Sequence, residues 1–159
     1  MMASLLRQAR WVLARGAYRP EQVASYARMA LVAAKFPDVT FLGPVFIRPD
    51  VVIEARPGYG RVIVGPWCHF GAGSRIRCHE GTLRIGAKTV FGERSTVNAW
   101  LDVEIGDACL FGDDVYVCDF DHRYERRDIP IKDQGIVKSP VRIGDDVWCG
   151  TKAVVTRGS

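Results

Sequence analysis

Ile-Gly-Ala-Lys-Thr-Val-Phe-Gly at residues 85–92 and Ile-Gly-Asp-Ala-Cys-Leu-Phe-Gly at residues 105–112 decide the fold. Each sets an aliphatic–glycine pair six residues ahead of a second X–Gly pair. Two further copies flank them, Val64-Gly65 with Phe70-Gly71 and Ile143-Gly144 with Cys149-Gly150. A short fixed period means that each repeat is one structural unit, which buries its apolar side only by stacking on a neighbour. The inner step is six residues and the outer step is near twenty, with one longer interval between the third and fourth copies. That pattern predicts a triangular coil whose three short strands per turn stack into three parallel sheets. Turn punctuation in a β-sandwich would also scatter glycines. Sandwich turns keep no six-residue period, however, and the alternation does not suit antiparallel strands with one wet face.

Within a six-residue side the first residue points inward and is aliphatic, the second is often a bend glycine, and the fifth is small because it also faces the tight interior. The inward rows read Val64, Ile85, Ile105 and Ile143, then Phe70, Phe91, Phe111 and Cys149, then Ile76, Val97 and Val155. Fifth positions hold Cys68, Thr89, Cys109 and Val147, then Ser74, Ser95, Val115 and Ala153, with Leu101 closing the side that starts at Val97. Val45, Ile47, Val51 and Ile53 read as a looser first coil. The fold class is all-β, with residues 41–159 as the coil, ending part-way through a turn, and residues 1–40 as a helical segment. Leu5, Ala9, Val12 and Leu13 recur at helical spacing up to Gly16, and Pro20 opens a second helix through Ala34 that Pro37 ends. These helices read either as a cap over the first coil's open edge or as a basic amphipathic element on an anionic membrane surface.

The 159 residues are 48% apolar with a formal charge of +4, enough for one core and far from a nucleic-acid-binding footprint. No run is long and apolar enough to span a membrane. The N-terminus lacks the apolar stretch and cleavage site of a secretion signal. Five cysteines without a CxxC pair fit a reducing cytoplasm better than a disulfide framework or zinc ribbon.

Three histidines are present. His69 reads as an outward corner residue and His79 as a turn residue in Cys78-His79-Glu80-Gly81. His122 lies where the six-residue pattern stops, in Cys118-Asp119-Phe120-Asp121-His122-Arg123, before a charged stretch that runs to Gly135. Insertions into a rigid repeat are where function is commonly placed. A histidine there can take a proton from an alcohol or amine, with Asp119 and Asp121 as candidates to orient it.

The register resembles the hexapeptide-repeat family, whose fold is a left-handed parallel β-helix. That hand breaks the usual crossover rule and enters only through the resemblance. Asp121-His122, Pro130-Ile131, Gln134-Gly135, Pro140-Val141 and Ile143-Gly144-Asp145-Asp146-Val147-Trp148 most resemble the sugar and exopolysaccharide O-acetyltransferases. The resemblance implies direct transfer of an acetyl group from acetyl-CoA to a hydroxyl or amine of a carbohydrate-like acceptor, in a homotrimer and without metal. His122 would be the general base, and Asn98, Asp119 and Asp121 would meet the acceptor. Trp148, Gly150, Thr151 and Lys152 would meet the CoA. Family members continue for at least another coil beyond the position of Ser159. Two other readings stand beside it: a non-catalytic repeat scaffold, and a γ-type carbonic anhydrase, which needs three histidines around zinc.

Overall fold

The computed structural model describes residues 19–159 together with Arg10 and Ala14. Elements are numbered in chain order. Among the described residues, helix α1 (Pro20–Lys35) precedes three parallel sheets of five strands each. Sheet A stacks β1 (Val39–Phe41), β4 (Gly60–Val64), β7 (Gly81–Ile85), β10 (Asp102–Ile105) and β15 (Val141–Ile143). Sheet B stacks β2 (Phe46–Ile47), β5 (His69–Phe70), β8 (Val90–Phe91), β11 (Leu110–Phe111) and β16 (Trp148–Cys149). Sheet C stacks β3 (Val52–Ala55), β6 (Arg75–Cys78), β9 (Thr96–Ala99), β12 (Tyr116–Cys118) and β17 (Val154–Val155). The chain visits A, B and C in rotation, which makes a parallel β-solenoid, and with its helical cap it fits the expected left-handed β-helix.

The register follows the repeat. Val64, Ile85, Ile105 and Ile143 stack in sheet A, and Phe70, Phe91, Phe111 and Cys149 in sheet B. The three phenylalanine rings lie nearly parallel, with centroids 5.4 and 4.6 Å apart. Offset stacking of this kind adds to the area term in an already dry core. The small fifth residues do more than fit. Cys68, Ser74, Thr89 and Ser95 are buried. Each donates a hydrogen bond to a glycine carbonyl one coil up, at Gly86, Gly92, Gly106 and Gly112, over 2.9 to 3.0 Å. A buried polar group is thereby satisfied by the next turn of backbone. The bend glycines are set by the same closeness. A Cβ on Gly86 would lie 2.4 Å from the Gly106 carbonyl carbon, and one on Gly71 2.4 Å from that of Gly92.

Helix α1 runs from the predicted Pro20 and ends at Lys35, one residue beyond the expected Ala34. Its Met29 and Val32, with Phe36 just past its end, pack on the core, and the buried Ser25 hydroxyl accepts the Ile47 N–H at 2.5 Å. Arg28 donates to the Ile47 carbonyl at 3.1 Å, so the helix covers β2. The expected first helix, with Leu5, Ala9, Val12, Leu13 and Gly16, lies outside the described residues. Two positions differ from the sequence reading. Leu101 is 39% exposed rather than inward, because β9 ends at Ala99 and the chain turns its corner at Trp100–Leu101. His69 stands on strand β5, not at a corner, with its ring 4.3 Å from that of Phe46.

Candidate active site

The corners between sheets A and B and between B and C are short and uniform, and the corner from C to A is not. On successive coils that corner carries Arg56–Tyr59, His79–Glu80, Trp100–Leu101, and then an excursion from Asp119 to Pro140. The excursion leaves as β13 (Phe120–His122) and returns as β14 (Ile136–Lys138), paired antiparallel with His122 opposite Ile136 and Phe120 opposite Lys138. Gln134 ties the intervening loop. Its amide donates to the carbonyls of Arg126 and Ile129 and accepts the Arg126 N–H, at 2.6, 3.2 and 3.0 Å. A short 3-10 turn, Ile131–Asp133, follows Pro130, and Gly135 closes the loop with φ +80°.

The root of the excursion is fixed by Asp119, which is fully buried. Its carboxylate accepts the N–H groups of Trp100, Leu101 and Asp102, each at 2.8 Å. Three charge-assisted bonds to one turn hold the excursion to the coil below. Above that anchor an aromatic column climbs the corner. His79 stacks on Trp100 at 4.6 Å, Trp100 meets Phe120 at 5.8 Å, and His122 sets an edge against Phe120 at 6.2 Å. The Lys138 ammonium lies 5.6 Å from the Trp100 ring centre and is ion-paired with Glu80, two coils down. The Glu80 carboxyl is held below the usual range, chiefly by the hydrogen bond from Lys138.

His122 therefore stands exposed at the outer end of a braced hairpin, and among the described residues no hydrogen bond or ion pair engages its imidazole. Asp121 points to the other side of β13 and accepts Arg157 Nε at 2.6 Å. Asp119 has its oxygens on backbone amides. Neither carboxylate holds the imidazole in this arrangement. Asn98 lies on β9, beside Cys118 of β12. Its Nδ2 donates to the Tyr116 hydroxyl at 3.3 Å, while its Oδ1 is buried and meets no donor. Burial raises the Tyr116 phenol and the Cys118 thiol above their ordinary values.

The remaining candidates lie elsewhere on the coil. Trp148 is 76% exposed on β16, on the outward row of sheet B next to Leu110. Gly150, Thr151 and Lys152 form the corner that follows, from B to C. Thr151 sits on Gly112, whose added Cβ would lie 2.6 Å from its nitrogen, and Lys152 holds φ +63°. Sheet B is the face opposite the corner that carries His122. One copy of the chain thus brings together Asn98, Asp119, Asp121 and His122 around sheet C and its corner, and keeps Trp148 apart from them. The three histidines do not converge either: His69 is on sheet B, and Trp100 and Phe120 separate His79 from His122 in the column. Tyr116 and Glu80 stand beside these candidates and were not singled out in the sequence, while Lys138, readable there as a cation for CoA phosphates, is instead paired with Glu80. Tyr116 could have been found from its outward place in the β12 alternation, next to Thr96. No spacing signals Glu80 and Lys138, which are 58 residues apart.

No family model and no solved structure matches the chain. It is 46% identical over 154 residues, 97% of its own length, to a protein of Mycobacterium tuberculosis named a probable acetyltransferase. The chain spans about half of that relative, 51% of its length. The chain is thus a parallel β-solenoid, consistent with the hexapeptide-repeat fold, and a homologue of a protein that bears an acetyltransferase name.

Proposed function

We propose that the chain is an acyl-transfer unit, which moves an acetyl group from acetyl-CoA to a hydroxyl or amine of a carbohydrate-like acceptor. The observation that carries the reading is the single excursion at the C-to-A corner. It breaks an otherwise regular coil, is anchored by Asp119 and the Lys138–Glu80 pair, and presents His122 to solvent. The homologue's acetyltransferase name and the resemblance of the motifs support it.

In this reading His122 takes the acceptor proton as the acceptor oxygen attacks the thioester carbonyl carbon. The tetrahedral intermediate collapses with rupture of the carbon–sulfur bond, and the CoA sulfur leaves with the proton returned by the imidazolium. No covalent enzyme intermediate is required. Asn98, with its unmet Oδ1, meets the acceptor. Asp119 acts through the turn it pins, and Asp121 through its pair with Arg157. Trp148 packs on the acyl-CoA, with Gly150, Thr151 and Lys152 at its pantetheine and phosphate end. Because Trp148 and His122 fall on opposite sides of one triangular coil, the cleft lies between neighbouring copies, in keeping with the homotrimer of the resembled family.

Calorimetric titration of acetyl-CoA into the chain tests this. Micromolar binding that weakens with Trp148→Ala, followed by acceptor-dependent release of CoA that is lost in His122→Ala, is the expected result. An absence of binding at millimolar CoA removes the enzymatic reading of these residues and favours a repeat scaffold.

A further inference from the structure

A surface helix normally sets its apolar stripe on the core and charged residues outward. Helix α1 does the first and not the second. Its inward row is Gln22, Ser25, Met29 and Val32, continued by Phe36. The opposite row, spaced three and four residues apart, is Val23, Ala27, Ala30, Leu31 and Ala34, all of them exposed. Val23 is 55% and Leu31 69% exposed. The charged side chains of the helix lie off that row, with Glu21 paired to Arg48 and Arg28 donating to the Ile47 carbonyl.

Charge is concentrated on the same part of the chain. Residues 1–35 hold Arg7, Arg10, Arg15, Arg19, Arg28 and Lys35 against the one carboxylate of Glu21, a net +5. The whole chain is +4, so residues 36–159 carry a net −1. An apolar helix face joined to the protein's entire excess of positive charge is the pairing that suits an anionic lipid surface. Apolar side chains enter the boundary between headgroups and acyl chains, and arginines meet the lipid phosphates. No described helix is long and apolar enough to cross a membrane.

We infer that the outer face of α1, with the basic N-terminal segment, docks the protein on an anionic membrane surface. The inference is independent of the acyl-transfer reading.

Sedimentation of the full chain with phosphatidylglycerol-containing vesicles tests it, against vesicles of phosphatidylcholine alone. Binding is expected to the anionic vesicles only, and to weaken as salt rises. The double variant Val23→Glu and Leu31→Glu should lower partitioning more than about tenfold. Replacing Arg7, Arg10 and Arg15 by Gln should lower it about fivefold or more, each basic group near an anionic surface contributing. Thermal unfolding and the mass by light scattering should be unchanged in the glutamate variant. Absence of vesicle binding, or binding that ignores both sets of substitutions, overturns the inference. A marked fall in unfolding temperature would show the face covered by the chain's own N-terminal residues. A change in mass would show it covered by a second copy. Either result overturns the inference as well.

Discussion

Cys118 is the nucleophile that a thiol-based mechanism would choose, since it sits three residues ahead of Asp121-His122. Its side chain is 5% exposed, and its thiol leans on the Phe120 carbonyl at 3.5 Å. Burial pushes its pKa up, and that of Cys68 to about 11. A thiol in such surroundings stays protonated and unreactive. Cys118→Ser should therefore keep acetyl transfer within about twofold of the parent, measured as CoA release, whereas a covalent route through sulfur would lose about a hundredfold or more. Iodoacetamide at neutral pH should likewise leave Cys68 and Cys118 unlabelled in peptide mass spectra. Asp119 shows how a residue's chemistry can be hidden from sequence. It reads as a loop carboxylate beside a histidine, yet its three backbone partners are the turn Trp100–Asp102, one coil below.

At the scale of the elements, the coil's register was legible because sterics repeat with it. Each bend glycine lies under the backbone of the next coil, so its spacing in sequence is the spacing of contacts in space. Gly144 and Gly150 are the informative exceptions, since a Cβ on either would meet nothing within 4 Å. Gly86→Ala should then cost about 1–3 kcal/mol through overpacking against Gly106. Gly144→Ala in this chain should stay within about 0.5 kcal/mol. Urea unfolding of the two variants separates them, and equal losses would contradict the stacking account. The hairpin β13–β14 was visible only as a break in the period. Its brace joins residues 58 apart, which no local pattern can reveal. That brace is acid-sensitive, and the sign follows from Glu80, whose folded pKa is depressed by Lys138. Its contribution is complete above the ordinary glutamate value near 4.3 and is lost as pH falls through the lower folded value. Exchange protection of the Ser139 amide, which donates to the Asp119 carbonyl at 2.9 Å, should fall in that acid range. Glu80→Gln should lower it at neutral pH.

For the whole molecule, the proposed acyl-transfer reading requires two opposite sides of one coil to serve one reaction. Trp148 stands on sheet B, and His122 stands at the corner where sheets C and A meet. A rigid parallel coil cannot fold these together, because every sheet is tied by ladder bonds to the same stack. In the proposed acyl-transfer reading a cleft between copies would resolve this, since a ring of identical subunits would set face B of one copy against the C-to-A corner of the next. The arrangement predicts complementation. His122→Ala and Trp148→Ala should each depress transfer when assayed alone. After unfolding and refolding together in equal amounts, random assembly places an intact His122 from one variant opposite an intact Trp148 from the other. That occurs at roughly a quarter of the interfaces, so roughly a quarter of the parent activity should return, whatever the ring size. A site contained within one chain would yield only the average of the two variants. Recovery above that average therefore locates the chemistry between subunits, and its absence after verified subunit exchange returns Trp148 to a surface role.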